Sequence, residues 1–287
     1  MPLEIKTSLY NMERIYKIVD EKKGIAQITT DNERWYVREV EDQKTKEKSF
    51  VYLPSCTWIS SFYPKGIAYY KWIADKGWDE AEAIKEDRGK HGSKVHKTVE
   101  LLLAGAEVKM NEEVMNPRLG ILEQLTVEEY GAVISFVEWY KTLKNPEIVE
   151  SEQTIWNEKD GFAGTLDLLL KIDGELWLID LKTSQSIWPS HEIQISAYAH
   201  SIPEKVKLGI LQLGYKRNKN NYKFTEIEDK YDLFLASRKI WINECETMKP
   251  FERDYPLSIS LGVPANRTKG VRPIKDIKKK LKLKKKV

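Results

Sequence analysis

The chain has 287 residues, 41% hydrophobic and 32% charged, which gives enough apolar side chains for a buried core. Its net charge of +3 hides an asymmetry: residues 267–287 carry eleven Lys or Arg and one acid, Asp276, leaving about −7 on residues 1–266. Two distant cysteines, Cys56 and Cys245, exclude a four-cysteine zinc or iron–sulfur site and argue against a disulfide scaffold.

Residues 13–55 alternate as strands do, in runs such as Trp35-Tyr36-Val37-Arg38 and Phe50-Val51-Tyr52-Leu53, and predict a small antiparallel meander. Pro54 and Pro64 bracket a loop. Helical patterns follow over 66–76, 79–104 and 126–144, the last opened by a Thr126/Glu129 capping box and stopped by Asn145-Pro146. Strand-length runs come next at 148–156, 163–172 and 176–181, with Asp173-Gly174 as a hairpin signal between the last two. A helix over 191–201, strands over 207–215 and 222–227, and an amphipathic helix over 230–248 complete the pattern. This order predicts an α/β fold with one mixed central sheet flanked by helices and a small N-terminal β appendage. The expected division is an appendage over 1–65, a core over 66–263 and a basic, flexible tail over 264–287.

No stretch reaches 18 apolar residues, so no membrane partner is expected. The N-terminus MPLEIKTSLYNMERIYK lacks an apolar leader core, so the expected location is cytoplasmic, or nuclear or organellar in a eukaryotic host.

Asp167 and Asp180 are the residues on which chemistry centres. Pairing about the Asp173-Gly174 turn sets position 167 opposite 180, with the two carboxylates roughly 5 Å apart at Cβ. Both sit in apolar runs, Leu168-Leu169-Leu170 and Leu176-Trp177-Leu178-Ile179, where like charges repel unless a cation joins them. Oxygen ligands predict Mg²⁺ or Mn²⁺. Lys182, two residues beyond Asp180, shares its strand face and can orient water or offset charge on a phosphate. The alternative is a pair of solvated strand-end acids with no chemistry.

This Asp167…Asp180-Leu181-Lys182 pattern resembles the PD-(D/E)XK nuclease superfamily, and in detail its RecB-like exonuclease branch. The resemblance spans about residues 86–215. It implies a restriction-endonuclease-like core, Asp167, Asp180 and Lys182 as catalytic residues, and His96, Asp167, Asp180 and the Leu181 carbonyl as metal ligands. His96 closes Arg88-Gly89-Lys90-His91-Gly92-Ser93-Lys94-Val95-His96, which is similar to the family's upstream helix. Its helical face, shared with Val99 and Leu103, equally fits a core histidine. The family's strand-opening Glu matches Glu152, with Glu150 the alternative, and its Gln-x-x-x-Tyr helix matches Gln194 and Tyr198. One departure is the lack of the four iron–sulfur cysteines found in some relatives, so no cluster is expected.

Thr183 and Ser184 are candidate phosphate donors, Trp188-Pro189 a candidate wall for a base, and the tail lysines Lys278, Lys279 and Lys280 a candidate phosphate tether. No G-x-x-x-x-G-K-[ST] loop is present, which excludes a fused P-loop motor. The expected activity is metal-dependent hydrolysis of DNA, with an exonuclease on single strands or ends preferred. An endonuclease of the same fold and a DNA-binding or assembly protein that kept the fold are the rivals.

Overall fold

In the computed structural model, which describes residues 15–29, 33–117 and 120–248, the alternating N-terminal segment forms an antiparallel meander. Its strands run in the order β1 (Ile15–Asp20), β2 (Ile25–Thr29), β3 (Arg34–Glu41) and β4 (Lys48–Pro54). The tail lysines Lys278, Lys279 and Lys280 lie outside the described residues.

The segment expected as a loop between Pro54 and Pro64 contains a helix, α1 (Cys56–Ser61). Ser55 caps it by accepting a hydrogen bond from the Trp58 amide at 3.1 Å. Six residues are too few to display a 3.6-residue period. Two predicted helices follow, α2 (Ile67–Lys76) and the 26-residue α3 (Trp78–Leu103). A short hairpin that the periodicity did not predict, β5 (Glu113–Asn116) with β6 (Ile121–Gln124), leads into α4 (Val127–Tyr140). The Thr126/Glu129 capping box is formed, with both reciprocal hydrogen bonds present at 2.7 and 3.2 Å. Helix α4 ends at Tyr140, short of the expected residue 144, where the Thr142 hydroxyl takes the Trp139 carbonyl.

The main sheet has the order β11-β10-β9-β8-β7, formed by β7 (Glu147–Asn157), β8 (Phe162–Ile172), β9 (Glu175–Lys182), β10 (Lys207–Leu213) and β11 (Tyr222–Ile227). Only β9 and β10 pair in parallel, and α5 (Pro189–Ala199) crosses between them; α6 (Tyr231–Cys245) follows β11. The sheet is therefore mixed and the fold α/β, as the element order predicted. At the β8–β9 turn Asp173 and Gly174 both have positive φ, 52° and 84°, as a type I′ hairpin requires. That turn fixes the ladder from Ile172↔Glu175 to Leu168↔Ile179.

One sheet face packs Leu168, Leu170, Ile179, Leu181, Leu211 and Leu213 under Val95 and Val99 of α3 and the Ala132–Val133–Phe136–Trp139 stripe of α4. Each such side chain removed from water contributes about 1.5–3 kcal/mol. A buried ion pair locks the two helices together, with Lys94 Nζ 2.8 Å from the Glu129 carboxylate. Helix α5 lies against β8, β9 and β10. Helix α6 joins it, its Phe234 ring 4.8 Å edge-on from Phe162. The meander is seated on β8: Ile25 and Tyr36 share a buried cluster with Ala163, and Ser55 bridges to Ala163. Trp58 of α1 lies 5.2 Å from Trp35 and 5.3 Å from Trp241, clasping meander, α1 and α6 together. No helix among the described residues is long and apolar enough to cross a membrane.

Candidate metal centre

The β8–β9 ladder ends at Leu168↔Ile179, one step short of the expected Asp167–Asp180 pair. There the Asp167 carboxylate takes over from the backbone ladder, its Oδ2 accepting from the Leu181 amide at 2.7 Å. Asp180 and Lys182 alternate along β9 with Ile179 and Leu181, which face α3 and α4, so both point to the side covered by α5.

His96 of α3 reaches Asp167, Nδ1 to Oδ1 at 3.4 Å. Glu152 of β7 completes a group in which one potential ligand atom from each of the three side chains lies within 4.8 Å of the others. A cation held about 2.1 Å from each ligand would draw adjacent ligand atoms to roughly 3 Å. Position separates Glu150 from Glu152, since Glu150 is exposed and Glu152 joins the group. Glu152 also has φ 51°, the left-handed region that non-glycine residues seldom adopt within a strand. Asp180, expected among the metal ligands, is not in that group. Its Oδ2 instead lies 2.5 Å from Lys182 Nζ.

Burial and charge set the protonation states. For His96 burial works against the imidazolium, but the Asp167 carboxylate outweighs it and raises the pKa to about 9. Burial would raise Asp167, and the facing His96 holds it below the ordinary carboxylate range. Asp180 goes the other way: burial, with repulsion from Asp167, raises it despite Lys182. Lys182 is penalised by burial, yet Asp180 and Asp167 together raise it, so it stays an ammonium. The two acids are thus driven apart in acidity, a pattern associated with functional carboxylate pairs.

The residues fit a divalent cation. Two carboxylates and an imidazole are an ordinary ligand set for one. Asp180 Oδ2 is buried and held against the Lys182 ammonium.

The remaining predicted residues surround this centre to different degrees. The Gln194 amide donates to the Tyr198 hydroxyl at 3.2 Å, and Tyr198 is buried against Gly164 on β8. A Cβ at Gly164 would lie 2.5 Å from the Tyr198 ring, so only glycine permits this approach. Thr183 Oγ1 faces Gly92 of α3. Ser184 donates its hydroxyl to the Ser186 carbonyl at 2.8 Å, which occupies the proton expected for a phosphate. One neighbour escaped the sequence reading. Tyr36 of the meander accepts from Gln27 at 2.9 Å and meets Thr165 Oγ1 at 3.2 Å, two residues from Asp167. It lay in a segment read only for its alternation, and nothing local linked it to β8. No protein-family model matches the chain, and no curated protein matches it.

Proposed function

We propose that this chain is a metal-dependent DNA nuclease with a restriction-endonuclease-like core of the RecB-like kind. The observation that carries the reading is one half-buried cluster of two parts: a His96–Glu152–Asp167 group that could hold a cation and, beside it, a carboxylate–ammonium pair, Asp180 and Lys182. Purely structural ion pairs have no need of a third and fourth acidic or imidazole group in the same small volume, where each costs desolvation.

His96, Glu152 and Asp167 would hold the ion, with Asp180 and the Leu181 carbonyl as further oxygens. When bound, Mg²⁺ or Mn²⁺ supplies Lewis acidity toward the scissile phosphate and acidifies water; the imidazole favours Mn²⁺. Asp167 fixes the His96 ring and ties down the β9 backbone through the Leu181 amide. Lys182, kept cationic by Asp180, donates toward the attacking water and offsets the charge that grows on the phosphate. Burial around Asp180 excludes bulk water from this contact, which strengthens it.

The test uses end-labelled linear single strands and covalently closed circles. Cleavage of the linear strand is expected with Mn²⁺ or Mg²⁺ and none in EDTA. Closed circles should survive, as an exonuclease on single strands or ends requires. Nicking of circles would make the protein an endonuclease of this site. Lys182→Met is expected to abolish cleavage with Mn²⁺ binding kept; cleavage undiminished in chelator or in Lys182→Met removes the mechanism.

A further inference from the structure

Between α1 and the middle of α2 the sequence reads Phe62-Tyr63-Pro64-Lys65-Gly66-Ile67-Ala68-Tyr69-Tyr70-Lys71-Trp72-Ile73-Ala74: five aromatic residues, two lysines and no acid. None of these residues is buried, and α2 has no buried residue along its length. A helix packed only for stability would hide at least one apolar position per turn. Here Ile67, Tyr70, Lys71 and Ala74 form an exposed stripe at i, i+3, i+4 and i+7, with Ile67 71% and Tyr70 55% exposed. The rings form a group: Tyr69 lies 5.7 Å from Tyr70 and 6.0 Å from Trp72, and Lys65 Nζ sits 5.9 Å above Tyr69. Acids return only at Asp75 and beyond, where Glu80 and Glu82 hold Lys76 and Lys85 at 2.8 and 2.6 Å.

At the start of α5 the Trp188 amide donates to His191 Nδ1 at 3.4 Å, and Trp188 is itself 48% exposed. The His191 imidazole, depressed first by burial, also feels the positive charges of both Lys182 and Lys65. Lys65 and Lys182 are thus both within electrostatic reach of one imidazole.

The geometry points to α2 and the Lys65 loop as a stacking platform for single-stranded DNA, holding unpaired bases over Tyr70. The proposal deepens the nuclease reading and rests on it for the identity of the polymer. Exposed rings interleaved with lysines suit a single strand, whose bases present free π faces while its phosphates meet ammonium groups. A duplex keeps its bases stacked on one another and offers the rings nothing.

Anisotropy of a fluorescein-labelled oligothymidylate of about 15 nucleotides, titrated with the full chain in EDTA, reads binding without cleavage. Tyr70→Ala is expected to weaken binding about 10-fold, and Tyr70→Phe to keep it within about twofold. Lys71→Glu should lower the salt slope by roughly 0.7. Tyr70→Gln serves as a second truncation if alanine perturbs α2. A blunt duplex of the same length should bind equally to wild type and Tyr70→Ala. Unchanged single-strand affinity in both truncations overturns the platform, and so does an equal loss on the duplex. Tyr70-dependent retention on phosphatidylserine vesicles with oligothymidylate binding unchanged overturns it in favour of a membrane surface. Tyr70-dependent binding by a protein that cleaves nothing with Mn²⁺ would keep the platform and remove the nuclease reading; the opposite pair of results does the reverse.

Discussion

Glu152 holds φ at 51° inside an eleven-residue strand, a conformation that costs a non-glycine residue about 1–3 kcal/mol. Its return is placement, because the same residue brings a carboxylate to His96 and Asp167. Glu152→Gln should lower Mn²⁺ affinity at least about 10-fold by calorimetry while the thermal midpoint moves little, the loss of one anionic ligand outweighing any packing change. Glu152→Gly should also bind Mn²⁺ poorly yet unfold at no lower temperature, since glycine enters this region without penalty. Wild-type Mn²⁺ affinity in Glu152→Gln would remove the residue from the centre. The sequence favoured Glu152 but kept Glu150 as the alternative, because a strand period of two gives them one face. What separates them is the reversed φ at 152. It leaves no mark on side-chain alternation. The β8–β9 pairing was legible for the opposite reason: a two-residue turn of known type fixes the register of everything paired about it.

At the level of elements, β8 and α5 meet through an absence of side chain. The Tyr198 ring occupies the space of a Cβ at Gly164, and this ring is buried, so it cannot swing aside as an exposed side chain would. Gly164→Ala is therefore expected to destabilise the fold by about 1–3 kcal/mol, seen as a lower urea midpoint. It should also weaken cleavage by displacing Gln194, which is bonded to Tyr198. A variant as stable as wild type would show that α5 is free to shift. Long periodic elements such as α3 and short paired ones such as β8 and β9 were readable, because each repeats its pattern several times or is flanked by a strong turn. Helix α1 and the β5–β6 hairpin were not. Six residues and two runs of four repeat nothing, and α1 owes its place to Trp58, which packs between Trp35 and Trp241.

For the molecule as a whole, the charge division bears on the proposed binding of DNA. Residues 1–266 carry about −7 and residues 267–287 about +10, so long-range attraction resides in the basic segment rather than the body. Deleting 267–287 should weaken single-strand binding chiefly at low salt, flattening the slope by roughly 0.7 for each phosphate that is no longer neutralised. Cleavage at saturating DNA should persist, since no residue of the metal centre is removed. Equal affinity and slope with and without the segment would exclude it from DNA binding. This division was legible in full before any fold was known, because net charge needs none. Hidden until the fold appeared was that the meander, expected as an appendage, shares buried residues with the strand that carries Asp167.

That shared interface has a consequence during synthesis. Tyr36 and its partner Thr165 are 129 residues apart. At about 5–20 residues per second, the ribosome delivers the second roughly 6–25 s after the first. Throughout that interval the face of the meander bearing Ile25 and Tyr36 lacks its β8 partner. The nascent chain thus presents an apolar sheet surface long before its acceptor emerges, and a holdase bound there would be released by the arrival of β8.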